Sequence, residues 1–117
     1  MRAVEGDRVS AADLIANAAA YDDLHAVRQP VETFLTSSPE TPDVLIVDPP
    51  RTGMLREALD GVIHLRAPKI MYVSCDVATL ARDSKRLVDA GYRIEQASAF
   101  DLFPNTPHVE TVISFRR

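Results

Sequence analysis

The chain has a single cysteine, no long apolar run and no excess of positive charge, and each shortage excludes something. One cysteine in 117 residues rules out an intrachain disulfide framework and any zinc site built on several thiolates. No apolar stretch approaches the roughly 20 residues that span a bilayer. No basic stretch followed by an apolar one opens the chain, so a signal peptide is not expected. These absences lead to the expectation of a soluble, cytoplasmic protein with no membrane partner. A net charge of -4 does not mark the chain, taken as a whole, as a nucleic-acid binder.

What is present is ordinary in amount and uneven in place. The chain is 46% apolar and 26% charged, and its 117 residues suit one compact domain. Residues 1–50 hold three basic and nine acidic side chains, whereas 51–117 hold ten basic and eight acidic. Arg82, Lys85, Arg86 and Arg93 could form a modest basic face there, although a charge run of this kind is usually a solvated helix surface.

Strand-like and helix-like segments alternate. Arg2 to Glu5 reads as a short strand end, and Ser10 as a helix N-cap before the alanine-rich run Ala11 to Ala20. Leu24 to Arg28 reads as a short strand and Val31 to Leu35 as a helical turn or two, before a Ser-, Thr- and Pro-rich loop over 37–42. Asp43 to Asp48 is the clearest strand: four successive aliphatics, three of them β-branched, predict burial on both faces of a parallel sheet. Met54 to Leu65 has near-helical apolar spacing. Lys69 to Ser74 reads as another buried strand. Val77 to Ala90 predicts a helix with Leu80, Ala81, Leu87 and Val88 inward, stopped by Gly91. Strands around 93–99 and 110–115 complete an open, largely parallel α/β sheet.

In such sheets ligands sit beyond the carboxyl ends of the strands. Glu5, Asp48 and Cys75 all fall there, so one shared rim is expected. Asp48-Pro49-Pro50-Arg51 sets a carboxylate and a guanidinium at a strand end with two prolines stiffening the backbone between them. It is similar to the Asp/Asn-Pro-Pro-Tyr motif of amino-methylating enzymes, but Arg51 replaces the aromatic, which argues against that chemistry. Cys75 lies between a strand and a helix N-terminus, a placement that favours a thiolate. A lone cysteine is otherwise most often an inert core residue. The segment Phe100 to Glu110 carries two carboxylates and a histidine, His108, into the last strand, and a carboxylate at an apolar rim such as Glu110 suits a general base.

Taken together, Asp48-Pro49-Pro50-Arg51-Thr52-Gly53, sixteen intervening residues, and Ile70-Met71-Tyr72-Val73-Ser74-Cys75-Asp76-Val77-Ala78-Thr79 resemble the signature of the S-adenosyl-L-methionine (SAM)-dependent RNA m5U methyltransferases, which modify uridine in tRNA or 23S rRNA. Phe100 to Glu110 resembles their second signature. Val4-Glu5-Gly6-Asp7 and Asn17-Ala18 resemble the strand that meets the cofactor ribose and the helix after it. The resemblance implies a class I SAM-methyltransferase (Rossmann-like) α/β sheet, with SAM as cofactor, an RNA substrate and no metal. It implies Cys75 as the nucleophile on uracil C6, Glu110 as the base at C5, and Asp48 and Arg51 at the pocket. Glu5 and Asp48 would meet SAM. Asp76 stands where the family usually has Asn and adds a negative charge beside the thiol; Asn105 stands where Gln, His or Tyr is usual.

The resemblance also implies that residues 1–117 form part of a catalytic domain. The family's first strand and Gly-rich turn have no counterpart, and none of the four glycines forms such a turn. Bare strand edges of this kind invite pairing, so a complementing chain or a homo-oligomer is expected, with much of the grip on RNA phosphate coming from another domain or subunit. Two other readings stand beside it. The chain could be a non-catalytic remnant or interaction module of the fold. It could also be an RNA cytosine-C5 methyltransferase, which fits less well because the Tyr-Val-Ser-Cys context and the His108-Val109-Glu110 ending match the uracil enzymes.

Overall fold

The structure, a computed structural model, describes residues 1–38, 40–102, 104–106 and 109–117. They form two compact units, Met1–Pro39 and Glu40–Arg117.

The first unit is a strand-helix-strand-helix segment. β1 (Arg2–Glu5) and β2 (His25–Arg28) pair in parallel, from Arg2 opposite His25 to Glu5 opposite Arg28. The crossover is α1 (Arg8–Ala18), and α2 (Val31–Ser37) follows β2. The N-cap of α1 is Asp7 rather than Ser10: its Oδ1 accepts the N–H groups of Val9 and Ser10, both at 2.9 Å. An aspartate three residues upstream satisfies the same orphan donors, and Ser10 is drawn into the first turn. Ala11, Ala18 and Leu35 are buried in this unit.

The second unit holds β3 (Val44–Val47), α3 (Arg56–Leu65), β4 (Lys69–Ser74), α4 (Val77–Asp89), β5 (Arg93–Phe100) and β6 (Glu110–Arg116). The sheet order is β3-β4-β6-β5. Only β3 and β4 are parallel neighbours; β6 runs antiparallel to both β4 and β5. The largely parallel arrangement expected from alternating strands and helices therefore stops at β4. No helix separates β5 from β6 among the described residues, and strands joined without a crossover helix pair antiparallel.

The core lies on one face of this sheet. Ile70, Tyr72 and Ser74 alternate as buried residues along β4, and their register partners Phe115 and Ile113 on β6 are buried with them. Ala58, Leu59, Val62 and Leu65 of α3, with Leu80 and Leu87 of α4, complete it. Two expectations change here. The inward stripe of α4 is Leu80, Asp83, Ser84 and Leu87, while Ala81 and Val88 face out. β3 is not buried on both faces: Val44 is 46% and Ile46 62% exposed. Among the described residues β3 closes one edge of its sheet and pairs only with β4, so no further strand covers that edge.

Candidate functional site

Asp48 follows the last residue of β3, and Cys75 the last residue of β4. Because β3 and β4 are parallel, with Val47 opposite Tyr72, both fall at the same end of the sheet. Glu110 reaches that end from the opposite direction. It is the first residue of antiparallel β6, paired with Phe100, and the next residue, Thr111, lies opposite Ser74. The register thus sets Glu110 one step beyond the final β4–β6 pair, as Cys75 is. Glu5 belongs to the other unit, at the C-terminal end of β1, where its Oε1 accepts the N–H of Asp7 at 2.7 Å.

Cys75 is a free, half-buried thiol held between two residues that hydrogen-bond around it. The Ser74 hydroxyl donates to the Asp76 carbonyl at 2.9 Å, and the Asp76 N–H donates to the Ser74 Oγ at 3.1 Å. Asp76 caps α4, its Oδ1 accepting the Thr79 N–H at 2.9 Å. That backbone hydrogen bond above all, with the Thr79 hydroxyl and the Arg51 charge adding to it, holds the Asp76 carboxyl below the usual carboxylate range. A negative charge therefore sits beside the thiol, as the sequence indicated.

After Asp48 the backbone turns tightly, the Gly53 N–H donating to the Pro50 carbonyl at 2.8 Å. Gly53 has φ +74°, a left-handed conformation that glycine adopts without strain. Arg51 and Asp48 are exposed on this turn. In the Phe100–Glu110 segment Asn105 takes φ +67°, which asparagine tolerates better than most residues. His108 lies outside the described residues. Among the described residues no cluster of three or more His, Cys, Asp or Glu could hold a metal ion, and no helix is long and apolar enough to cross a membrane.

Asp83, the carboxylate that holds the turn, went unnoticed in the sequence. Asp83 of α4 is 1% exposed; its Oδ2 accepts the Tyr72 hydroxyl at 2.6 Å and the Met54 N–H at 2.9 Å, and its Oδ1 accepts the Arg82 Nε–H at 2.8 Å. Burial opposes its ionisation, but these three donors and the guanidinium charge outweigh it and hold the carboxyl below its ordinary range. Burial and the adjacent carboxylate push the Tyr72 hydroxyl up, so its proton stays on oxygen. The one available signal was an aspartate at helical spacing between Leu80 and Leu87.

Comparison with known proteins settles the family. The tRNA (uracil-5-)-methyltransferase profile matches residues 9–117. The chain belongs to this family. It is 41% identical over 113 residues to an RNA methyltransferase of uncharacterized function from Thermotoga maritima, covering 95% of this chain and 26% of that protein. It is 47% identical over 78 residues to the 23S rRNA (uracil(1939)-C(5))-methyltransferase RlmD of Alcanivorax borkumensis, covering 67% of this chain and 17% of the relative. This uracil-5-methyltransferase family member thus spans about a quarter or less of those relatives' length. The crystal structure of Pyrococcus abyssi tRNA (uracil-54, C5)-methyltransferase in complex with S-adenosyl-L-homocysteine superposes with a TM-score of 0.83 at 30% identity, over 97% of this chain and 28% of that one. The N-methyltransferase NodS from Bradyrhizobium japonicum superposes with a TM-score of 0.77 at 14% identity, over 99% and 72% of the two chains. The likeness to NodS extends to the fold alone, and that fold is the class I SAM-methyltransferase α/β fold.

Proposed function

We propose that this chain carries the reacting residues of a SAM-dependent RNA uracil-5-methyltransferase acting on tRNA or rRNA. The observation that supports this most directly is the meeting of Asp48, Cys75 and Glu110 at one end of the β3-β4-β6 sheet. Carbon 5 of uracil is too weak a nucleophile to take a methyl group unaided. The Cys75 thiolate adds to C6, forming an S–C6 bond and placing the displaced electron pair on C5 and the C4 carbonyl as an enolate. SAM, when bound, supplies an electrophilic methyl group to C5. Glu110 then removes the C5 proton, the C5–C6 double bond re-forms, and Cys75 leaves as thiolate. Asp48 and Arg51 line the uracil side of the turn. The target base must lie in a loop or be flipped from its stack.

The donor set suits the cofactor. Glu5 is a half-buried carboxylate at a strand end, and with one oxygen on the Asp7 N–H it retains acceptor capacity for ribose hydroxyls. Asp48, in the other unit, is an exposed carboxylate just past the end of β3. The bare aliphatic edge of β3 supports the further reading that a complementing chain or a second copy completes the sheet. RNA-directed chemistry supports a cytoplasmic location.

Trapping with 5-fluorouridine RNA and SAM tests the reading, because a fluorine at C5 cannot leave as a proton does and the Cys–C6 bond persists. The expected result is a stable covalent adduct that disappears in Cys75→Ala. Absence of an adduct, together with no SAM binding by calorimetry, would overturn it for this chain.

A further inference from the structure

The turn that carries Arg51 is held by one face of the helix that begins beside Cys75. Pro49 and Pro50 have no N–H to donate, so beyond its own Gly53 N–H to Pro50 carbonyl bond the turn draws on partners from elsewhere. Three side chains of α4, spaced i, i+3 and i+4 and therefore on one face, supply them. Thr79 Oγ1 lies 3.1 Å from the Arg51 carbonyl, its one proton shared with the Asp76 Oδ1 at 3.1 Å and the Asp76 carbonyl at 3.2 Å. Arg82 Nη2 lies 3.2 Å from the Thr52 carbonyl and 3.3 Å from the Met54 carbonyl. Asp83 takes the Met54 N–H and, through Tyr72, ties the assembly to β4. The fit leaves no slack: a Cβ built on Gly53 would stand 2.5 Å from Arg82 Nη2 and 2.8 Å from Asp83 Oδ2.

A buried carboxylate is costly to maintain, and an apolar residue in its place would stabilise a core more simply. Here it is retained at a point where it orders a backbone turn next to the reacting groups. We propose that Thr79, Arg82 and Asp83 form a clamp that positions Arg51 relative to Cys75, with Asp83 a positioning residue that acts through Arg51 and touches no substrate. The same helix carries Asp76 at its N-terminus, so its placement governs both the nucleophile and the guanidinium. This rests on the reading of Arg51 as a pocket residue.

The test has two arms on the full chain. In the first, trapping of 5-fluorouridine RNA is followed against RNA concentration for Asp83→Asn, Arg51→Ala and the pair together. Asp83→Asn is expected to weaken trapping about tenfold through the RNA concentration needed, and the double variant to fall no further than Arg51→Ala alone. Losses that multiply would overturn the proposal and leave Asp83 a scaffold residue. In the second arm, amide hydrogen exchange is read at Met54 and Gly53 in Asp83→Asn and in Tyr72→Phe. Acceleration there about tenfold greater than at Ile70 and Phe115, which report the loss of global stability, supports the clamp; an unchanged Met54, or equal acceleration in β4 and β6, overturns it. This arm needs no turnover, so an inactive chain would sink the catalytic reading while the clamp is still decided. If Asp83→Asn does not fold, Gly53→Ala displaces the turn from outside, and the same non-additivity with Arg51→Ala is expected.

Discussion

The hydroxyl of Tyr72 on β4 donates to the Asp83 carboxylate on α4 at 2.6 Å, both side chains being buried. The pair joins the strand that ends just before Cys75 to the helix that starts just after it. Removing one partner tests what it contributes. Tyr72→Phe is expected to lower unfolding stability by about 1.5–3 kcal/mol, the range for a hydrogen bond to a charged group. Urea denaturation measures this.

The same carboxylate predicts a pH dependence. The folded Asp83 is held below its ordinary range, so its contribution is fully present above the usual aspartate value of about 4 and is lost as pH falls through the lowered folded value. Tyr72, raised in the fold, acts at the other end: stability falls as pH climbs past the usual phenol value of about 10. Denaturation midpoints across this range are expected to form a plateau with shoulders that flatten in Asp83→Asn and Tyr72→Phe respectively.

Glu110→Gln separates the two halves of the proposed chemistry. Without a carboxylate to take the C5 proton, elimination of Cys75 stalls after methylation. An adduct on ordinary uridine RNA is then expected to accumulate, visible as a gel shift that survives denaturant. A variant that turns over normally would remove Glu110 from the role of base.

Asp76→Asn probes the charge beside the thiol. Asparagine caps helices about as well as aspartate, so α4 keeps its Thr79 hydrogen bond while the negative charge is lost. Alkylation of Cys75 by iodoacetamide at neutral pH is expected to quicken by about two- to threefold as repulsion of the anionic thiolate disappears. A rate that is unchanged or slower would show that this charge does not govern the thiol.

The exposed aliphatic edge of β3 predicts self-association. Val44 and Ile46 face solvent on a strand paired along one side only, the arrangement that recruits another strand. Ile46→Lys is expected to shift sedimentation towards a smaller species without changing the far-ultraviolet circular dichroism.

Local pattern alone located most of the elements and placed the candidate groups at strand ends. Lys69–Ser74, the cysteine after it and the helix from Val77 are legible because strand run, cap and helix period are properties of neighbouring residues. The placement of Asp48 and Cys75 at strand ends follows from the same signals. Tertiary structure decided the rest. Strand direction leaves no trace in side-chain alternation, so the antiparallel insertion of β6, which brings Glu110 to the Cys75 end, emerged only from pairing. An aspartate on an amphipathic helix reads as solvent-facing until Tyr72, Met54 and Arg82 converge on it. β3 reads as doubly buried because aliphatic composition records a capacity for burial; whether neighbours fill it depends on where the strand lies in the sheet.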